Sequence, residues 1–229
     1  EEIITPSTII RDEGQYTYWP TPQPKCWIYR QYGRTHGPVN VSDAIEVSCN
    51  YFFYDVGRRV GIEKLDEYAA KFGLGQKTGV ELSEAAGVVA SPEFTESLGG
   101  KWYEGNVLSV AIGQESTQVT PIQLATMCAT IANGGVRLQT HFLDKVLDYT
   151  GETVLEAYEP VELYDAGLSS DVLGVVQAGM QMVATEGTAS NVFANYPVSI
   201  AAKTGTAETS NLKTTDPDYT CLLYTSDAA

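Results

Sequence analysis

Late in the chain Val198, Ile200 and Ala202 alternate with Ser199 and Ala201, and the alternation runs directly into Lys203-Thr204-Gly205-Thr206. A period of two predicts a strand. This strand constrains the fold more than any other feature, because most of the remaining pattern is helical. Ile62, Leu65, Tyr68, Ala69 and Phe72 recur at three- and four-residue intervals, so residues 63–72 predict an amphipathic helix ended by Gly73. Thr120-Pro121-Ile122-Gln123 is a capping box with proline at the first helical position. The helix behind it carries Leu124, Ala125, Cys128, Ile131 and Ala132 and stops at Asn133-Gly134-Gly135.

Asn40 predicts a second cap, with Asp43 at N3 and an apolar stripe beginning at Val41, Ala44 and Ile45 before Ser48. The string Asn40-Val41-Ser42 also fits a glycosylation sequon, but the cap accounts for it better. The next helix has Phe52, Phe53, Val56 and Val60 apolar and Gly61 as its stop. Ser169 or Ser170 caps a helix through Val172, Val176, Met180 and Val183 that ends near Gly187. Alternating runs at 141–149 and 152–158 flank Thr150-Gly151 and predict a hairpin. Residues 1–39 are rich in Pro, Thr, Tyr and Trp without a helical period. They predict an extended excursion pinned by Tyr16, Tyr18, Trp19 and Trp27, and residues 73–106 read as loop.

The chain has 29 acidic and 14 basic side chains and a formal charge of -15, which argues against a groove that tracks nucleic acid or a face held to anionic lipid. No run approaches the roughly 18 apolar residues of a spanning helix. Cys26, Cys49, Cys128 and Cys221 form no C-x-x-C pair, and His36 and His141 lie far apart, so no metal site is expected. Whether Cys26 and Cys49 form a disulfide is left open by the sequence.

Two strings carry chemistry. Ser48-Cys49-Asn50 places a hydroxyl and a carboxamide at a break between two helices, where neither is needed as a cap. Lys203-Thr204-Gly205-Thr206 sets an ammonium, two hydroxyls and a residue without a side chain on a strand, which suits an extended peptide ending in a carboxylate. Lys77-Thr78-Gly79 repeats the tripeptide in a glycine-rich loop, and that context argues against it. The structural alternatives are a helix break in which Ser48 and Asn50 satisfy backbone groups, and a solvated strand-end charge at Lys203.

The pair matches two of the three signatures of penicillin-binding proteins and active-site serine β-lactamases, S-x-x-K, S-x-N and K-T-G. Around it the chain is similar to the elongation-type family called penicillin-binding protein 2. The likeness runs in family order through Thr5-Pro6-Ser7-Thr8, Pro24-Lys25-Cys26-Trp27, Ser48-Cys49-Asn50-Tyr51-Phe52-Phe53, Phe72-Gly73-Leu74-Gly75 with Thr78-Gly79, Ile112-Gly113-Gln114, Thr120-Pro121-Ile122-Gln123, Ala132-Asn133-Gly134-Gly135 and Gly187-Thr188-Ala189. Ile112-Gly113-Gln114 and Ala132-Asn133-Gly134-Gly135 read as packing and helix-ending devices rather than site residues.

The resemblance implies an α+β transpeptidase fold, helices packed on an antiparallel sheet, incomplete here and mainly helical with the K-T-G strand. Residues 1–208 correspond to part of the transpeptidase domain. Residues 209–229 form a polar tail whose end, from Cys221, looks like translated adaptor or out-of-frame sequence. No S-x-x-K precedes Ser48, and Ser210-Asn211-Leu212-Lys213 stands in the wrong order to supply the nucleophile. The K-T-G strand is expected to lack its sheet neighbours, which leaves an open edge and poor stability.

By the same resemblance, a serine outside this sequence attacks the carbonyl between two D-alanines, and the isolated chain is inactive. Ser48 relays a proton to the leaving amine, Asn50 holds the substrate amide and Lys203 supports both electrostatically. Thr204, Gly205 and Thr206 receive the terminal carboxylate, the Thr206 N–H completing an oxyanion hole. No cofactor and no histidine are required. The implied partners are peptidoglycan stem peptides ending in D-Ala-D-Ala, β-lactam antibiotics and a membrane glycosyltransferase of the elongation machinery, at the extracytoplasmic face of a membrane reached by an anchoring helix outside the sequence. Rivals on the same fold are a carboxypeptidase, a β-lactamase and a β-lactam sensor. A rival of another class is a catalytically dead cell-wall interaction module.

Overall fold

A computed structural model describes residues 3–207 and 221–227. Strand β1 (Ile10–Asp12), helix α1 (Trp27–Tyr32) and strand β2 (Gly37–Val39) are followed by helices α2 (Val41–Glu46), α3 (Asn50–Val60), α4 (Ile62–Lys71), α5 (Pro92–Ser97), α6 (Asn106–Val110) and α7 (Pro121–Ala132). Four short strands come next, β3 (Val136–Leu138), β4 (Lys145–Leu147), β5 (Val154–Ala157) and β6 (Glu162–Asp165). The chain continues through α8 (Ser170–Thr185), α9 (Ser190–Phe193), β7 (Ala201–Ala207) and β8 (Cys221–Asp227).

The caps form as their residue types dictate. Asn40 accepts from the Asp43 amide while the Asp43 carboxylate takes the Asn40 N–H, so two orphan donors of α2 are satisfied reciprocally. Thr120 and Gln123 do the same for α7, and Ser169 caps α8 through the Val172 amide. Each such cap stabilises its helix by roughly 1 kcal/mol. Two short helices depart from the expected loops. α5 begins at Ser91, whose hydroxyl accepts from the Phe94 amide with Pro92 behind it. α1 has no side-chain cap, and its Trp27 indole donates to the Val47 carbonyl at 3.1 Å, so tertiary contact rather than a local signal accompanies it.

The hairpin forms as β4 paired antiparallel with β5, and β3 pairs with β6 beside it. Val146, Leu147, Val154 and Leu155 on this hairpin are exposed. The strand of the K-T-G segment begins at Ala201, later than the alternation suggests, and it is not unpartnered. β7 pairs antiparallel with β8 from Ala201 opposite Asp227 to Ala207 opposite Cys221. Backbone ladders are indifferent to side-chain identity, so a β-prone run supplies a neighbour even where its sequence looked foreign. Ser210-Asn211-Leu212-Lys213 lies outside the described residues.

Three apolar clusters hold these elements. Ile45 of α2 meets Met180, Val183 and Ala184 of α8 and Ala202 of β7, and this group joins the helix before Ser48 to the strand that carries Lys203. The approach is close: a Cβ on Gly179 would stand 3.0 Å from the Ile45 Cβ, so glycine is what lets α8 lie against α2. A second cluster gathers Ile10, Cys26, Val39, Ala44, Cys49 and Phe52, and a third Tyr16, Tyr54, Val107 and Leu108. Phe52 and Val183 are fully buried, each worth about 1.5–3 kcal/mol relative to exposure. Tyr16 is pinned as its aromatic excursion predicts, donating to Asp55 at 2.9 Å and accepting from Arg58 at 2.7 Å, whereas Tyr18 stays exposed.

Candidate active site

The turn between α2 and α3 brings Ser48 out of helical geometry. Its φ is +55°, a left-handed value uncommon for a residue with a side chain, and the Ser48 and Cys49 amides close onto the Ile45 and Ala44 carbonyls at 3.3 and 2.9 Å. The kink leaves Ser48 half-buried, and its hydroxyl meets the other half of the predicted site. Lys203 Nζ donates to Ser48 Oγ at 2.8 Å, although 155 positions separate them, and to the Thr204 carbonyl at 2.9 Å. Burial pushes the Lys203 ammonium down to about 8, because desolvation disfavours its charged form. With Lys203 as donor, Ser48 keeps its own hydroxyl hydrogen for another acceptor.

Asn50 opens α3, half-buried, with its side chain within reach of the Tyr54 phenol; burial raises that phenol and Asn50 partly opposes the rise. Thr204 is half-buried, while Gly205 and Thr206 are exposed along β7. Two residues outside the predicted set hold this strand. Thr188, just beyond α8, shares a 2.8 Å hydroxyl bond with Thr204, and Gln114 Nε2 donates to the Thr206 carbonyl at 3.2 Å. Gln114 belongs to a string that sequence reasoning reads as a packing device and Thr188 to one of the collinear motifs, and nothing in local spacing tells which strand they reach.

The earlier K-T-G copy is spent on structure. Glu84 accepts from the Thr78 amide and hydroxyl at 3.0 and 2.8 Å and from the Gly79 amide at 2.8 Å. The backbone bonds and the Thr78 hydroxyl hold the Glu84 carboxyl below its usual range.

Behind the Ser48 turn lies a group that the sequence argument against a metal site does not anticipate. Asp12, Cys26, His36 and Cys49 bring one ligand atom each within 4.8 Å of one another, and all but His36 are buried. His36 Nδ1 lies 2.9 Å from Asp12 Oδ2 and 3.5 Å from Cys26 Sγ, Cys49 Sγ donates to Asp12 at 3.7 Å, and His36 Nε2 is buried with no hydrogen-bond partner. Burial works against the Asp12 charge, but bonds from the His36 side chain and the His36 and Gly14 amides outweigh it and lower the carboxyl to about 2. Burial likewise opposes charge on His36, and Asp12 and Cys26 outweigh it to raise the ring to about 9. Two sulfurs, an imidazole and a carboxylate are the donor chemistry of a tetrahedral zinc ion. The four side chains come from β1, the start of α1, the segment before β2 and the Ser48 turn, so it is the fold and not sequence spacing that gathers them. Cys26 and Cys49 are free thiols here, not a disulfide.

Comparison with known proteins gives the family. The Penicillin binding protein transpeptidase domain family model matches residues 2–223. Peptidoglycan D,D-transpeptidase MrdA of Escherichia coli strain K12 is 33% identical over 219 residues, covering 92% of this chain and 33% of that protein. The crystal structure of Pseudomonas aeruginosa penicillin-binding protein 2 in complex with WCK 5153 matches with a TM-score of 0.75 at 30% identity, over 90% of this chain and 46% of the other. A peptidoglycan synthase complex, described as coordinating polymerization and crosslinking, matches with a TM-score of 0.74 at 31% identity, over 91% of this chain and 34% of the other. The chain thus spans about a third of the curated relative it matches. On the collinear motifs, the Ser48–Lys203 geometry and these likenesses, the chain belongs to the penicillin-binding protein transpeptidase domain family.

Proposed function

We propose that the protein carrying this chain is a peptidoglycan D,D-transpeptidase of the penicillin-binding protein 2 type. The observation that carries the reading is the 2.8 Å contact between Lys203 and Ser48, because it joins the S-x-N turn to the K-T-G strand. A serine of an S-x-x-K segment N-terminal to Glu1 attacks the carbonyl of the penultimate D-alanine. The Oγ–carbon bond forms, the amide C–N bond breaks, and the serine proton ends on the departing D-alanine amine. The acyl group then passes to an amine of a second stem peptide.

In this scheme Ser48 relays a proton to the leaving nitrogen, and Lys203, donating to the Ser48 hydroxyl, supports that network electrostatically. Asn50 holds the substrate amide, Thr204 and Thr206 bind the terminal carboxylate, and the Thr206 N–H stabilises the oxyanion. Peptidoglycan stem peptides are the substrate and β-lactams the trapping inhibitors. A membrane glycosyltransferase of the elongation machinery is the fitting partner, given the similarity to a peptidoglycan synthase complex. No helix among the described residues is long and apolar enough to cross a membrane; the proposed extracytoplasmic membrane location rests on the likeness to the penicillin-binding protein 2 family. Carboxypeptidase and β-lactamase readings use the same cleft, and the difference lies in whether an amine or water takes the acyl group.

The test is labelling of the full-length protein with a fluorescent β-lactam, alongside a serine-to-alanine change at the upstream S-x-x-K. Covalent label that the change abolishes is the expected result. A folded wild type that takes no label overturns the enzymatic reading in favour of a dead interaction module.

A further inference from the structure

Thr188 bridges the helix before Ser48 and the K-T-G strand. Its amide donates to the Glu46 carbonyl at 3.3 Å, at the end of the helix that precedes Ser48, and its hydroxyl lies 2.8 Å from the Thr204 hydroxyl on the K-T-G strand. Gly187 makes the approach possible: a Cβ there would stand 2.6 Å from the Glu46 oxygen, which no side chain tolerates. Ala189 is fully buried in the cluster of Ile45, Val183 and Ala202, so the turn after α8 is anchored on both sides of Thr188.

A hydroxyl has one hydrogen and two lone pairs, so two paired hydroxyls must settle which one donates. If Thr204 gives its hydrogen to Thr188, it presents only lone pairs to the cleft and repels an anion. If Thr188 donates, Thr204 turns its own hydrogen outward, and the chain Thr188 to Thr204 to anion is mutually polarised. The same bond restrains the Thr204 side chain to one of its staggered wells. We infer that Thr188 is a positioning residue that orients and polarises the Thr204 hydroxyl toward the substrate's terminal carboxylate, an inference that rests on the transpeptidase reading above. Thr188 does not touch the reacting atoms; it acts through Thr204 and sets selectivity for an anionic terminus.

The test compares full-length wild type, Thr188→Val and Thr188→Ser in the rate of acylation by a carboxylate-bearing β-lactam and by its neutral methyl ester, with thermal unfolding in parallel. Thr188→Val removes the hydroxyl at constant volume. It is expected to slow acylation by the carboxylate form about three- to tenfold, the scale of one hydrogen bond, and to leave the slower ester reaction and Tm unchanged. Thr188→Ser restores the bond and the rate. Equal rates for wild type and Thr188→Val overturn the inference, as does an equal loss on both ligands, which marks Thr188 as a mere spacer. A folded wild type that neither ligand acylates defeats the transpeptidase reading itself, and the inference falls with it.

Discussion

Lys77-Thr78-Gly79 and Lys203-Thr204-Gly205 are the same three residues in opposite circumstances. The first sits in a loop where Glu84 takes the Thr78 amide and hydroxyl and the Gly79 amide, which consumes the polar groups that would face a ligand. The second lies on β7, its ammonium on Ser48 and its glycine exposed. A tripeptide therefore carries no chemistry of its own. What differs is whether the fold sets the polar groups against the Ser48 turn or satisfies them within their own loop.

The deepest way to break the contrast is to remove what stands behind the Ser48 turn. His36→Ala strips the Asp12 carboxylate, which is fully buried, of its charged partner. We expect a loss of about 3–5 kcal/mol of stability, the scale for orphaning a buried charge, read by chemical denaturation. Zinc added to the chelator-treated protein is expected to raise Tm in the wild type and to do so no longer in this variant. An unchanged denaturation midpoint would mean that the four-residue group supports nothing.

Next in size is the direct comparison of copies. In the full-length protein, Lys203→Ala is expected to slow β-lactam acylation about 10²–10³-fold, as does loss of a preorganised electrostatic group elsewhere, while Lys77→Ala leaves it within about twofold. Labelling kinetics decide, and equal effects would erase the distinction.

A finer cut uses pH. The folded value of Lys203 is about 8 against 10.5 for the free side chain, so the unfolded chain binds more protons between those values. This group's contribution to stability accordingly rises with pH across that window and is lost as pH falls through 8. Acylation is expected to show a limb near pH 8 that Lys203→Arg, which stays protonated, removes. A pH profile identical in the two proteins would detach Lys203 from the titration.

The smallest effect falls on the first copy. Glu84→Gln weakens three bonds to an ionised acceptor, so Tm drops modestly while acylation stays at the wild-type rate. Since the Glu84 carboxyl is held low, its contribution is present above pH 4.5 and fades as pH falls below that value. Lost acylation in this variant would tie the loop copy to the cleft after all.

Much of this molecule is legible residue by residue, because some structure is decided by groups only a few positions apart. Asn40 with Asp43, Thr120 with Gln123 and Ser169 with Val172 form the bonds that their spacing predicts, and Lys203 does lie on a strand, although that strand begins at Ala201 and leaves most of the alternation ahead of it outside. Collinear motifs identify the family, and with it the pairing of Ser48 with Lys203. Local pattern has no term for distant partners. The helix α1, the ladder between β7 and β8, the reach of Thr188 and Gln114 to the K-T-G strand, and the meeting of Asp12, Cys26, His36 and Cys49 come from tertiary structure alone. Periodicity records which face of an element is buried; only packing decides what that face is buried against.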